Sequence, residues 1–481
     1  MSDVPTSFDT RLSIAGRRVD GRGERFHVFD PATGAVLADA AGAHPDQVDE
    51  ALQAAHAGFR VWRDMAAVER ASILTDAGRM LGSNLEQLAR QLTLEQGKPL
   101  AEARAEWQAA LETLDWYANE GLRAYGRIVP SRGRHVQQLV ERDAVGPVAA
   151  FAPWNFPALT PMRKIAGSLA AGCSCILKAP EEAPMSSLAI AHALARAGLP
   201  DGVLSVVFGD APAIAERLLG ASVIRMASFT GSTPVGSALA VAAGRRALPL
   251  TLELGGHAPV LVFPGANLDR VFATAVPGKF RNAGQICVAP TRFIVHRSLY
   301  ESFASRLREF ASDLQVGSGL DERTRMGPLA TRRRLAAMDD LVKAAREEGA
   351  EVFRAADVSR PGFYWAPTVV TGLKRGSTLL RTEPFGPIAP CISFDEEEEA
   401  LALANDVPYG LAAYLFTESL SLAKRATRAL EAGMVGVNTT RISLAELPFG
   451  GVKESGYGAE GGMEGLQDFM VTRSVSIDFG D

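Results

Sequence analysis

Three residues in this chain set a reactive side chain among small or rigid neighbours: Cys287, Glu253 and Asn155. Cys287 stands in Phe280-Arg-Asn-Ala-Gly-Gln-Ile-Cys287-Val-Ala-Pro290, where glycine and small residues allow backbone or ligand to approach closely. A thiol attacks carbonyls well because its thiolate is accessible near neutral pH and intrinsically nucleophilic. Taken alone, such a residue is more often a buried core cysteine. Glu253 ends the apolar run Leu250-Thr-Leu-Glu253 and precedes Gly255-Gly256. A carboxylate buried there costs free energy unless it is paired or used, and lost hydration raises its pKa toward that of a general base. A salt-bridged strand end is the structural alternative. Asn155 lies between the prolines of Pro153-Trp-Asn-Phe-Pro157, and its neutral amide suits a donor to a developing oxyanion. A plain Asn turn is the alternative there.

Two further segments have the character of a cofactor edge. Phe229-Thr-Gly231-Ser232-Thr-Pro-Val-Gly236 follows a short apolar run and precedes a helical stretch, so its free N–H groups could face a phosphate. It is not GxGxxG, and an ordinary strand–helix turn reads the same way. Lys178 ends the run Cys173–Lys178 and is followed by Ala179-Pro180-Glu181, which sets a cation and a carboxylate at one edge. A local salt bridge explains that pair equally well.

The elements that must hold these residues are legible in outline. Helical patterns begin at His44-Pro45-Asp46 and continue through Glu69–Leu81, Asn84–Leu94 and Ala101–Ala124, so the first part reads as mostly helical. From Ala144 onward short apolar runs (Pro147–Ala152, Cys173–Lys178, Val203–Phe208, Met226–Phe229, Leu250–Leu254, Val260–Val262) alternate with Ala/Leu-rich stretches. That rhythm predicts an α/β fold with a parallel sheet covered on both faces. Strands are also expected near Thr291–His296, Tyr364–Val370, Ile388–Phe394 and Met434–Val437. Gly126–Glu141 reads as a hairpin arm and Phe469–Phe479 as an edge strand, both suited to pairing between subunits. The acidic run Glu396–Glu399 opens a helix, where negative charge favours the dipole.

Composition narrows the classes of function. A chain of 481 residues exceeds one ordinary core, and 47% hydrophobic with 22% charged residues is globular. A net charge of −5 gives no basic field for nucleic acid. Four cysteines (Cys173, Cys175, Cys287, Cys391) form neither a disulfide framework nor a CxxC metal site, so no metal is expected and a reducing compartment is. The first twenty residues lack the apolar stretch of a signal peptide. The weakly polar run Ile165–Leu177 falls short of the ~20 residues that span a bilayer. No membrane is expected, and the chain reads as cytoplasmic.

In order and spacing, Pro153–Pro157, Lys178–Glu181, Phe229–Gly236, Glu253–Gly256, Cys287, Glu383-Pro-Phe-Gly-Pro387 and Pro448-Phe-Gly-Gly-Val-Lys-Glu-Ser-Gly456 resemble the aldehyde dehydrogenase superfamily. The resemblance runs from Asp30-Pro-Ala-Thr-Gly34 to the terminal strand. It implies Cys287 as nucleophile, Glu253 as the base for the hydrolytic water, and Asn155 with the Cys287 N–H as oxyanion hole. It implies NAD, with NADP less favoured, held by Trp154, Lys178, Glu181, Gly231, Ser232, Gly236, Glu383 and Phe385. It also implies a Rossmann-like NAD-binding domain (1–125 and 144–254), an α/β catalytic domain (255–445) and a β arm (126–143 and 465–481) that assembles a homodimer or homotetramer.

Two arginines at the substrate end, Arg163 and Arg281, resemble the semialdehyde branch of that family, including succinate semialdehyde and 2-oxoglutarate semialdehyde dehydrogenases, where arginines clamp a distal carboxylate. A guanidinium suits this because its fork binds carboxylate bidentately. Phe156 and Ser443 complete the expected substrate side. The stretches 178–184, 278–287 and 456–462 look closest to the 2-oxoglutarate enzymes, while Arg441 in Asn438-Thr-Thr-Arg441-Ile-Ser443 departs from them. The alternatives are a dehydrogenase of neutral or aromatic aldehydes, and an inactive structural member, which would be expected to have lost Cys287 or Glu253.

Overall fold

The computed structural model describes residues 8–358 and 361–480. The alternation after Ala144 builds five parallel strands, Val148–Phe151, Cys175–Lys178, Leu204–Val207, Met226–Thr230 and Leu250–Glu253. Helices Leu159–Ala171, Met185–Arg196, Ala211–Gly220 and Thr233–Gly244 connect them. Taken in chain order, the strands lie third, second, first, fourth, fifth across the sheet. The first three are buried at every position, as strands covered on both faces must be. This order reverses between Val148–Phe151 and Met226–Thr230, and a crevice opens beyond the carboxyl ends of strands at such a switch point. Leu12–Ile14 extends one edge antiparallel, with Arg17–Val19 outside it, and Gly456–Tyr457 closes the other.

A second sheet has the order Glu351–Arg354, Thr368–Thr371, Ile388–Phe394, Arg292–His296, Pro259–Val262, Ala412–Phe416, Met434–Val437. All its pairings are parallel except the first. The buried apolar residues fall into two clusters, one running from Leu12 to Leu254 with Leu466 and Phe469, the other from Ala258 to Phe449. Arg127–Val129, Val136–Ala144 and Met470–Asp478 form a separate antiparallel sheet, with Met470 opposite Ala144 and Asp478 opposite Val136.

Three sequence expectations need correction. Residues 12–41 hold four short strands ahead of the first helix, of three to six residues each. The strand expected over Tyr364–Val370 starts at Thr368, just after Pro367, which has no N–H for the ladder. The strand expected over Phe469–Phe479 runs Met470–Asp478, and Leu466 and Phe469 ahead of it are buried in the first core. Gly167 makes that possible, since a Cβ there would lie 2.7 Å from the Phe469 ring. Among the described residues no helix is long and apolar enough to cross a membrane.

Candidate active site

The residues singled out by type converge on the carboxyl ends of the first sheet and on the loops of the second that face them. Lys178 and Glu253 are the last residues of their strands, and Asn155 lies just beyond Phe151. Cys287 approaches from the other layer, between the tight turn Arg281–Gly284 and the strand Arg292–His296. Gly256 permits that approach, because a Cβ on it would sit 2.6 Å from the Cys287 carbonyl oxygen.

Cys287 keeps part of its surface open to the cleft. Lost hydration nevertheless pushes its thiol up to about 12; Glu383 and Glu253 push the same way, and Arg163 pulls it down. Glu253 is buried, and neither carboxylate oxygen has a hydrogen-bond partner. Burial first, then the charge of Glu460, holds its pKa well above the ordinary range, against Lys164 and Arg163. Lys164 itself is spent: its Nζ donates to Glu460 Oε1 at 2.5 Å and to Ser228 Oγ at 2.9 Å. Asn155 is buried, and its Nδ2 donates to the Gln285 carbonyl at 3.0 Å. An amide nitrogen carries two hydrogens, so one remains to offer.

The expected cofactor residues form an edge. Lys178 Nζ donates to Glu181 Oε2 at 2.7 Å, and Glu181 Oε1 accepts from Gly209 N at 2.8 Å. The helix Thr233–Gly244 starts at Ser232 with Pro in its first turn and no side-chain cap. Gly231 and Gly236 flank Ser232 at that helix start. The Gly231 N–H donates to the Glu253 carbonyl at 3.0 Å and that of Gly236 to the Ser232 carbonyl, so neither is free for a phosphate. Gly236 is instead a packing glycine, since a Cβ would meet Leu254 at 2.3 Å. Thr230 Oγ1 beside them is buried without a partner. Glu383 accepts from Gly256 N at 3.4 Å, and burial raises its pKa to about 8. Trp154 and Phe385 meet edge to face at 5.7 Å, Phe385 with a left-handed φ of 42°. An uncapped helix start, an orphaned hydroxyl, fixed carboxylates at both ends and an aromatic wall suit a dinucleotide.

On the substrate side, Arg163 is buried in the helix Leu159–Ala171, with Nη2 donating to Ser443 Oγ at 2.7 Å and its guanidinium 4.2 Å from the Phe449 ring centre. Among the described residues no carboxylate pairs with it. Arg281 is exposed, 5.8 Å from the Phe156 ring centre. Arg441 is also exposed. The sequence reading missed the ions behind these residues. Lys98 Nζ bonds Glu106 Oε2 at 2.5 Å and the Asn155 carbonyl at 2.8 Å, and lies 4.1 Å from the Phe156 ring centre. The signal was present as Gly97-Lys98-Pro99 ahead of Glu102 and Glu106, two carboxylates on one helix face at i, i+4.

A match to the aldehyde dehydrogenase family spans residues 18–475. The chain is 43% identical over 463 residues to the 4-(hydroxymethyl)benzenesulfonate dehydrogenase TsaD1 of Comamonas testosteroni, covering 96% of this chain and 97% of the other. It is 39% identical over 472 residues to the NADP(+) succinate-semialdehyde dehydrogenase GabD of Escherichia coli K12, covering 98% of each. The crystal structure of a succinate-semialdehyde dehydrogenase from Burkholderia pseudomallei matches with a TM-score of 0.96 at 40% identity, over 99% of each chain.

The raised thiol pKa yields a direct expectation. Below its pKa, the thiolate fraction of Cys287 grows about tenfold per pH unit. Alkylation of Cys287 by iodoacetamide in the ligand-free protein should therefore keep accelerating from pH 7 to pH 10. A plateau below pH 9, followed by mass spectrometry of the modified peptide, would show that the cleft does not hold the thiol neutral.

Proposed function

The chain belongs to the aldehyde dehydrogenase family, and we propose that within it the protein oxidises a semialdehyde bearing a distal carboxylate to the dicarboxylic acid, with NAD as oxidant and Cys287 as nucleophile. The observation that carries the substrate reading is Arg163: a buried guanidinium, bonded to Ser443, with no carboxylate partner among the described residues. Its charge reaches both Cys287 and Glu253, so an anion bound to it would lie beside the reacting groups. A buried cation without a counter-ion costs several kcal/mol, which a ligand carboxylate offsets. Arg281, at the exposed end beyond Phe156, provides the second contact. The relatives' names agree in kind, since both the sulfonate of TsaD1 and the succinate semialdehyde of GabD bring an anionic group.

The residues divide the chemistry as follows. As the Cys287 thiol gives up its proton to solvent water, Sγ bonds to the aldehyde carbon, and the carbonyl oxygen becomes an oxyanion that accepts from the free N–H of Asn155 and the backbone N–H of Cys287. Glu181 and Lys178 at one end of the cleft, Ser232 at the helix start, and Glu383 with Trp154 and Phe385 at the other end would hold a nicotinamide dinucleotide, which would supply the hydride acceptor. Loss of hydride from the adduct carbon leaves a thioester on Cys287. Glu253 takes a proton from water, which attacks the thioester and releases the acid and the thiol. Being unpaired and desolvated, Glu253 is a stronger base than an exposed carboxylate.

Glu253→Gln should release one equivalent of NADH and stop, because hydride leaves before water attacks. The acyl adduct should then be visible on Cys287 by mass spectrometry. Absence of both burst and adduct would remove Glu253 from the hydrolytic step.

For the cofactor, the fixed Glu181 carboxylate suits the ribose hydroxyls and repels a 2′-phosphate, while Lys178 beside it attracts one. NAD is therefore expected to be preferred but not exclusive, and Glu181→Ser should move kcat/KM toward NADP. A wild-type kcat/KM that favours NADP would overturn the assignment.

The decisive experiment concerns the clamp. Charged hydrogen bonds to a carboxylate contribute about 1.5–3 kcal/mol each, or roughly ten-fold to a hundred-fold in kcat/KM per arginine. Arg163→Leu and Arg281→Leu should lose that factor on succinate semialdehyde while keeping their activity on pentanal. Equal losses on both substrates, with falling melting temperature, would mean that the arginines are structural.

A further inference from the structure

Asn282, five residues before the nucleophile, uses every polar group it has. Its N–H donates to Glu102 Oε2 at 2.8 Å, and its Oδ1 accepts from Gln96 Nε2 at 2.9 Å. Its Nδ2 donates to the Asn155 carbonyl at 2.9 Å and more weakly to that of Gln285 at 3.4 Å. Its own carbonyl accepts from Gln285 N at 3.0 Å and Gln285 Nε2 at 2.9 Å. Two carbonyls on one side and an amide nitrogen on the other fix which end of the side chain is which. The residue is buried and left-handed, with φ 48°, and Ala283 and Gly284 follow at 51° and 73°. Three consecutive left-handed residues form an unusual turn, and asparagine is among the few side chains that tolerate that conformation.

We infer that Asn282 is a positioning residue for oxyanion stabilisation, fixing the Asn155 amide against the Cys287 loop; this rests on the reading of Asn155 as oxyanion donor. Asn155 is gripped at both ends by the same turn. Its carbonyl accepts from Asn282 Nδ2, and its Nδ2 donates to the Gln285 carbonyl, two residues before Cys287. Once one hydrogen of a planar amide is committed, the direction of the other is set. The distance from that second hydrogen to the reacting carbon is then governed by the Asn282–Gln285 turn. Gln96 and Glu102 tie the turn to the helices behind the sheet, so the oxyanion donor and the nucleophile share one anchor. Preorganised donors gain their effect from such fixed placement.

The test is a double-mutant cycle read by the pre-steady-state NADH burst with NAD and succinate semialdehyde. Asn282→Gly removes the side chain and keeps a residue at ease in a left-handed turn. Asn155→Ala alone should slow the burst about a hundred-fold to a thousand-fold. Asn282→Gly alone should slow it about ten-fold to a hundred-fold, with NAD affinity unchanged, because only the donor is displaced. In the Asn155→Ala background, Asn282→Gly should add no more than about a two-fold loss, since the residue acts through Asn155. Additive losses, or an unchanged burst in Asn282→Gly, would overturn the role of Asn282. An unchanged burst in Asn155→Ala would instead overturn the oxyanion reading itself. If the glycine variant does not fold, Asn282→Asp carries the same test: it keeps the shape and the acceptor for Gln96 but turns an oxygen toward the Asn155 carbonyl.

Discussion

Charge buried at the carboxyl edge of the first sheet is the constraint on which the rest of the structure depends. Lys98, Glu106, Lys164, Glu253 and Glu460 all lie there almost without exposure. Two cations satisfy two carboxylates, Lys98 with Glu106 and Lys164 with Glu460. Glu106 serves a second purpose, because its other oxygen accepts from Ala158 N and Leu159 N at the start of the helix that carries Arg163. Glu95 does the same for the next helix, accepting from Met185 N, Ser186 N and Ser186 Oγ. A short stretch of chain, residues 95–106, thus supplies carboxylates to two helix starts, where the dipole favours them. Breaking a buried pair of this kind costs about 3–5 kcal/mol, because the survivor is left desolvated and alone.

With those charges matched, the ones left over stand out as Glu253 and Arg163. Glu253 has no partner and a raised pKa, while Arg163 has a hydroxyl and an aromatic face but no carboxylate. A protein that can pair Lys98 and Lys164 in the same region could have paired these too. Leaving a base and a cation unpaired beside a thiol pushed up to about 12 has a chemical consequence. A ligand that brings its own charge changes the electrostatic balance on all three groups.

Strand positions and the reactive side chains were legible from the sequence because each depends on local pattern. Apolar runs broken by glycine give buried parallel strands, and a carboxylate or lysine ending such a run marks the sheet's carboxyl edge. Sheet order was not legible locally, since nothing within Met226–Thr230 says that it lies beside Val148–Phe151. The polar scaffold was also hidden. Gln96 ends one helix, Lys98 lies in the Gly-Lys-Pro link, and Glu102 and Glu106 lie on the next helix, all far in sequence from Asn155 and Asn282. Their burial is a property of the fold, and spacing alone leaves them on a solvated face. At Gly231 and Gly236 the sequence does not show where the amides go, and in the fold both donate within the chain.

The segment that leaves the first core and enters the second explains how two separately packed layers can hold one site. Glu253 ends a strand of the first sheet, and Pro259 begins one of the second. Between them, Gly255 lies against Glu383, where a Cβ would come within 2.7 Å of Oε2, and Gly256 lies against the Cys287 carbonyl. A Cβ at Gly256 would meet the backbone of the Cys287 loop, and one at Gly255 would displace the end of the Glu383 side chain. The glycine pair therefore lets Glu253, the Cys287 loop and the Glu383 carboxylate at the far end of the aromatic wall lie close together. That last carboxylate belongs to a turn held from behind by two cations, with Arg334 donating to the Pro384 and Phe385 carbonyls and Lys279 to that of Gly386. Lys279 is so desolvated that its pKa falls to about 7. The Cys287 loop follows the helix that ends with Lys279 and Phe280, so the bond from Lys279 to the Gly386 carbonyl ties that helix to the turn that carries Glu383.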